Sequence, residues 1–244
     1  MNLKSVIKAS SGEEVIYGIR PVVEALRSKR RRVLEVLDAV GEKEVACETA
    51  VRGVPVRRVP RGRIGELAHG GTHQGVAARV EPYPYSSLEE ILATANPLII
   101  VLDGVTDPRN LGAVIRAADG AGASGVVIPK DRAVGVTPVA VKASVGASEH
   151  VPVARETNLR RALSMMKKVG AWAYAAEESA QAYTDLNYLG PVAFVLGSEG
   201  RGLRRLVREG CDAAVSIPML GAVSSLNVSV AAAVLLYEAR RQRG

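Results

Sequence analysis

The chain has 244 residues, 48% of them hydrophobic, which is enough for one or two globular domains with a buried core. Its two cysteines and three histidines fall at no metal-ligand spacing, so neither a disulfide framework nor a zinc pattern is present in the sequence. No segment reaches the ~18 uninterrupted apolar residues of a membrane span, and residues 1–15 hold no signal-like apolar run, so a soluble, cytoplasmic protein is expected. The net charge is +7 and the pI 9.6. Residues 1–80 hold 15 Lys and Arg against 9 Asp and Glu, whereas residues 81–244 hold 17 against 16. The basic excess is therefore N-terminal. It concentrates in Arg27-Ser-Lys-Arg-Arg-Arg32 and in Arg57-Arg58 with Arg61 and Arg63. Such clusters commonly neutralise phosphates, and a solvated helix end and loop are the plainer reading.

Residues 1–11 read as a tail. Residues 17–26 read as a short turn opening a helix, with Pro21 in the first helical turn, where a missing N–H costs nothing. A strand over 33–39, a helix over 42–51 ended by Gly53, a strand over 54–59, a short helix over 62–67 and a strand over 75–80 complete a small α/β unit, taken as a domain over 12–80. Residues 81–87 carry Pro82, Pro84 and two tyrosines and read as a stiff connector; with a short capped helix in 87–95 they make a linker over 81–96. Apolar strands are then expected over 98–102, 125–129, 150–153, 171–175, 192–196 and 214–217. Helices are expected from 108 onward, near 138–144, over 159–169 and 203–209, and at the C-terminus. Near-continuous apolar strands alternating with helices predict a mostly parallel sheet covered on both faces, a second domain over 97–244.

Ligands bind parallel sheets at the carboxyl ends of strands, and three loops there stand out. In residues 103–119 a strand ends, Asp107 can cap a helix, Pro108 fits its first turn, and Arg109 and Arg116 lie seven apart on one face. Arg116 could equally pair with Asp119. Residues 196–203, Leu-Gly-Ser-Glu-Gly-Arg-Gly-Leu, have glycines that let backbone approach a ligand. They match neither the dinucleotide fingerprint nor a phosphate loop. Residues 217–227 leave a strand at Ile217-Pro218, pass through a loop rich in small residues, and enter a helix that Ser224, Ser225 or Asn227 can cap. That last helix is apolar nearly all round, which predicts burial against its own domain and against a partner chain.

Together the segments DGVTDPRNLGAVIRAADGAG (103–122), LGSEGRGL (196–203) and IPMLGAVSSLNVSVAAAVLLYEARRQ (217–242) closely resemble the three signature motifs of the SpoU (TrmH-type) branch of the SPOUT methyltransferases. The resemblance extends to YGIRPVVEAL (17–26) and THQGVAARV (72–80), a pairing similar to the bacterial enzymes that methylate a guanosine 2′-OH in the peptidyl-transferase P loop of 23S rRNA. It implies an α/β fold: a SPOUT domain with a mostly parallel sheet and a deep C-terminal trefoil knot, preceded by a small domain similar to ribosomal protein L30e. It implies S-adenosylmethionine as methyl donor, 23S rRNA or a large-subunit precursor as partner, and a homodimer through the C-terminal helix. Carried onto this chain, Leu196, Gly197, Gly200, Ile217, Met219 and Leu226 hold the cofactor, the adenosine mostly through backbone groups. Arg116 is the catalytic residue, with Asn110, Glu199, Ser225 and Asn227 arranging it and the substrate. RNA capture is expected from Arg30, Arg31, Arg32, Arg57, Arg58 and Arg109.

Arginine is an awkward base, because its pKa lies above ~12. The preferred reading has Arg116 grip the target phosphate and stabilise developing alkoxide charge, while a phosphate oxygen or water takes the proton. Rival readings are methylation of tRNA or of another rRNA loop, and a non-catalytic RNA-binding assembly protein. The N-terminal unit speaks against a tRNA enzyme, and the joint presence of Asn110, Arg116, Glu199, Ser225 and Asn227 against a silent binder.

Overall fold

A computed structural model describes residues 12–198 and 200–244. The chain divides between Pro84 and Tyr85 into two compact units. The first holds strands β1 (Glu14–Tyr17), β2 (Val33–Asp38), β3 (Val56–Arg58) and β4 (Val76–Val80) and helices α1 (Ile19–Ser28), α2 (Lys43–Arg52) and α3 (Arg61–Leu67). Its four-stranded sheet has the order β1-β4-β2-β3, with β4 antiparallel to both neighbours and β2 parallel to β3. Helix α1 turns Val22, Val23, Ala25 and Leu26 inward at helical spacing and stops at Lys29, which takes the left-handed conformation (φ 57°).

The second unit is a six-stranded sheet, every ladder parallel, in the order β10-β8-β9-β5-β6-β7. Its strands are β5 (Leu98–Asp103), β6 (Gly125–Pro129), β7 (Val153–Glu156), β8 (Trp172–Ala182), β9 (Val192–Gly197) and β10 (Ala213–Ser216). The helices are α4 (Leu88–Leu92), α5 (Pro108–Gly120), α6 (Pro138–Ala143), α7 (Leu159–Lys168), α8 (Arg205–Arg208) and α9 (Val228–Arg243). Strands β5 and β6 are buried at every position, as a sheet covered on both faces requires. Asp107, with Pro108 in the first turn, caps α5 and accepts from the Arg109 N–H at 2.8 Å.

Four expectations need correction. Strand β1 went unforeseen: it is four residues long and joins the sheet edge through Tyr17 opposite Ala77. Residues 85–96, expected within a linker, belong to the second unit. Ser87 and Glu90 form a capping box on α4, and its Leu88 and Ile91 are fully buried in the sheet core. Strand β7 begins at Val153, not at residue 150. A 3-10 turn, Ala147–Glu149, held by Ser144 Oγ accepting from the Ser148 N–H at 3.3 Å, occupies the preceding stretch. Strand β8 runs seven residues past the expected end at 175, through the polar Glu177-Glu178-Ser-Ala-Gln181, because its far half pairs with β10. Between those halves β8 bulges: Ala214 lies opposite Ala175, but Val215 lies opposite Gln181.

Candidate functional site

The ends of β9 and β10, the bulge of β8 and two loops enclose a cavity of about 690 Å³ at the carboxyl edge of the parallel sheet. Strand β9 delivers Leu196 and Gly197, and the turn after it delivers Ser198, Gly200, Arg201 and Gly202. The loop after β10 delivers Ile217, Met219, Ser224, Ser225 and Leu226. The β8 bulge adds Ala176, Glu177 and Glu178, and α9 closes the floor with Val228 and Ala231. All six residues expected to hold the cofactor line this one space, although residues 200 and 217 are separated by a helix and a strand. The walls combine branched apolar side chains with strand-end backbone groups, a surface suited to a flat aromatic base.

The glycine turn is set by sterics and one buried charge. A Cβ on Gly197 would lie 2.1 Å from the Gly202 carbonyl carbon, so only glycine lets the two backbones close. Gly202 donates from its N–H to the Ser198 carbonyl at 2.9 Å, and Gly200 and Gly202 both take positive φ, 76° and 64°. Below the turn sits Asp103, 1% exposed at the end of β5. Its Oδ2 accepts from the Arg204 backbone N–H at 2.8 Å, and its Oδ1 from the Arg204 guanidinium at 2.6 Å. A buried carboxylate satisfied by three charge-assisted bonds fixes where the turn stands relative to β5. Sequence reasoning missed this pair. The signal was an acid ending the wholly apolar run Leu-Ile-Ile-Val-Leu-Asp103, but its partner lies 101 residues away, beyond any spacing rule.

Beside the cavity the first turns of two helices meet. Asn227 caps α9, its Oδ1 accepting from the Ser229 N–H at 2.9 Å and the Ser229 hydroxyl at 2.6 Å. With its oxygen so engaged, Nδ2 turns outward and donates to Asn110 Oδ1 on α5 at 3.0 Å. Ser225 lines the cavity two residues earlier. Arg109 and Arg116 are both exposed on α5, and the pair with Asp119 that spacing offered does not form. Arg116 makes no hydrogen bond or ion pair among the described residues. Glu199 lies outside the described residues.

The β8 bulge is tied down on both sides. Glu177 pairs with Arg208, a bond that holds the guanidinium above its ordinary range, and Glu178 accepts from the Ser224 hydroxyl at 3.3 Å. Nearby Cys211 is pushed up to about 11 by burial, so it is a thiol at neutral pH and no nucleophile.

In the first unit the expected RNA-binding cations divide. Arg31 is a core residue: its side chain is 1% exposed and pairs with Glu14 at 3.0 Å, which removes it from the surface role expected of it. Arg57 and Arg58 are exposed on β3 but carry carboxylate partners, Glu35 at 2.9 Å and Asp38 at 3.3 Å. Arg30 stands over the Tyr83 ring at 5.7 Å, and Arg32 is exposed.

Residues 97–237 match the family described as the SpoU rRNA methylase family, and residues 15–86 match the family described as RNA 2′-O ribose methyltransferase substrate binding. The chain is similar to the 23S rRNA (guanosine-2′-O-)-methyltransferase RlmB of Vibrio vulnificus, 42% identical over 240 residues, covering 94% of this chain and 97% of that one. The RlmB of Haemophilus influenzae is 44% identical over 241 residues, covering 94% and 98%. Among solved structures, the SpoU methyltransferase AviRb from Streptomyces viridochromogenes in complex with the cofactor AdoMet superposes with a TM-score of 0.82 at 28% identity, covering 96% of this chain and 91% of that one.

Proposed function

The chain belongs to the SpoU rRNA methylase family, and from that premise we propose how its geometry moves a methyl group from S-adenosylmethionine to the ribose 2′-OH of a guanosine in 23S rRNA. One observation carries the site assignment: a single cavity gathers residues of two separate motifs, and the Asn110–Asn227 amide pair stands next to it in sequence and fold. Leu196, Gly197, Gly200, Ile217, Met219 and Leu226 would hold the cofactor, their apolar side chains and strand-end backbone groups lining the space its base would take. When bound, the cofactor supplies a sulfonium-activated methyl carbon.

The chain's own residues do the rest. Positioning is the largest contribution, since oriented reactants can gain several kcal/mol. Arg116, with no partner among the described residues, binds an RNA phosphate and sets its charge against the alkoxide that develops on the 2′-oxygen. It is not the base; the 2′-OH proton leaves to a phosphate oxygen or water. With the donor bound, methyl transfer to the 2′-oxygen would break the carbon–sulfur bond and leave the donor as a neutral thioether. Asn110, Asn227 and Ser225 orient the ribose. The RNA is captured by Arg30, Arg32, Arg57 and Arg58 of the N-terminal unit and by Arg109, and the target guanosine is presented in a loop where its ribose is accessible. We assign that loop as the peptidyl-transferase P loop, the C-terminal helix as a homodimer interface, and the two cavity loops as the crossing of a trefoil knot. The division into a substrate domain over 12–80 and a methyltransferase domain over 97–244 belongs to the same reading.

The test is methyl transfer from labelled S-adenosylmethionine to protein-free 23S rRNA, 16S rRNA and bulk tRNA, with ribose-methylation mapping. One 2′-O-methylguanosine in the P loop is the expected product. Label confined to tRNA would overturn the substrate assignment and leave the cofactor cavity standing.

A further inference from the structure

The N-terminal unit contains a second concave surface, a groove of about 550 Å³ where helices α1 and α2 end. Five cations line it, Lys29, Arg30, Arg31, Arg32 and Arg52, against one carboxylate, Glu81. Two of the five belong to the scaffold. Arg31 is neutralised by Glu14, and both Arg30 and Arg31 stand over the Tyr83 ring, at 5.7 and 5.6 Å. Lys29 and Arg32 are exposed and, among the described residues, their side chains have no hydrogen-bond or ion-pair partner. Arg52 donates from one terminal nitrogen to the Arg27 carbonyl at 3.1 Å, while its buried Nε has no acceptor. A buried unmatched donor beside a cationic groove is a cost that a bound anion would relieve.

Other arginines of this unit show the contrast. Arg27 is surrounded by Glu24, Glu44 and Glu48, Arg20 meets Glu44, Arg57 meets Glu35, and Arg63 meets Glu66. Those charges are neutralised within the unit. At the groove Glu81 is the one lining carboxylate against five cations, and Lys29 and Arg32 have no partner among the described residues, although the left-handed turn at Lys29 and the stack on Tyr83 hold the basic run in place.

We propose that this groove is a binding site for the phosphate backbone of RNA, with Lys29, Arg32 and Arg52 as its phosphate ligands and Arg30 as a stacked support. The inference rests on the proposed rRNA substrate and selects which face of the N-terminal unit meets it. The paired arginines of β3 become secondary. Lys29 and Arg52, neither of them among the cations expected to capture RNA, become primary. Phosphate ligation of this kind positions RNA without reading its sequence.

The test compares two double variants of the full chain with equal loss of charge. Lys29→Ala/Arg32→Ala removes groove cations. Lys43→Ala/Arg61→Ala removes two cations that also lack partners among the described residues but do not line the groove. Binding to protein-free 23S rRNA is measured across a salt titration, with S-adenosylmethionine affinity as the check on folding. The groove variant is expected to bind more weakly, with a log–log salt slope shallower by about 2, roughly one unit for each phosphate no longer neutralised. The control variant is expected to keep the wild-type slope, and both to bind cofactor normally. Equal weakening of the two variants would mean diffuse electrostatics and overturn the groove while leaving the substrate assignment intact. Failure of the unsubstituted chain to bind the rRNA would overturn the substrate assignment itself, and the groove with it.

Discussion

Arg116 illustrates how a single side chain is left available for chemistry. It is on the exposed face of α5, three residues from Asp119, and a helical ion pair at that spacing would gain only a few tenths of a kcal/mol. That small gain is not taken, and the guanidinium has no partner among the described residues. If its function is a planar grip on phosphate and developing alkoxide, Arg116→Lys retains charge and loses the fork. We expect about a 100-fold loss of kcat with little change in cofactor affinity, read by single-turnover methyl transfer. Retained full activity would contradict the assignment. The cysteines give a second residue-scale test. Cys47 is exposed, whereas burial lifts Cys211 to about 11 and leaves almost no thiolate at neutral pH. Alkylation of the native chain at pH 7 should modify Cys47 and spare Cys211 until denaturant is added; peptide mapping by mass spectrometry decides this.

Elements are coupled here through their ends. The first turn of α5 and the cap of α9 meet in the Asn227–Asn110 bond, so one amide serves both as helix cap and as link between motifs. Its two jobs can be separated. Asn227→Asp keeps an acceptor for the Ser229 N–H and suits the positive end of the helix dipole, but cannot donate to Asn110. The expected outcome is an unchanged melting temperature with methyl transfer reduced at least about fivefold, one lost hydrogen bond being worth about 1 kcal/mol or more. Asn227→Ala loses both functions, and costs in addition about 1 kcal/mol of stability. At the other end of α9, Arg243 donates to the carbonyls of Tyr188, Asn96 and Gly190 at 2.8, 3.0 and 2.5 Å, and Gln242 bonds both the Tyr188 N–H and the Leu186 carbonyl. The C-terminus thus clamps the loop before β9. Arg243→Ala should lower unfolding stability by about 1–3 kcal/mol in urea titrations, by leaving those carbonyls without their donor.

For the whole molecule, the expectation of an all-round buried final helix meets a divided surface. Val228, Ala232, Leu235, Leu236 and Ala239 are buried within the chain, while Val230 and Tyr237 are 47% and 53% exposed. An apolar stripe open to solvent on an otherwise packed helix is what a second copy would cover. Sedimentation equilibrium should give twice the 25.7 kDa chain mass, and Val230→Arg with Tyr237→Arg should give the chain mass. A monomer for the unsubstituted chain would remove the dimer assignment.

Local rules reached most of the fold. Apolar runs such as Leu98–Asp103 and Gly125–Pro129 announce buried strands because a parallel sheet covered on both faces needs no polar alternation. Asp107-Pro108 and Ser87 with Glu90 announce helix starts because capping chemistry is written within four residues. Short motifs were equally legible where glycine or a cap was required locally, as at Gly197, Gly202 and Asn227. What the sequence hid was whatever depends on a distant partner. The far half of β8 is polar and becomes a strand only by pairing with β10. The capped helix within residues 85–96 is legible, but its place in the second unit is decided only when Leu88 and Ile91 find the sheet core. Asp103 and Arg204 acquire their meaning across 101 residues, and a basic run that reads as one cluster separates into a buried ion pair at Arg31 and cations at Lys29 and Arg32 that have no partner among the described residues. Backbone propensity and patterning act over a few residues and so survive in the sequence. Burial, charge pairing and cavity shape are set by segments that meet only when the chain has folded.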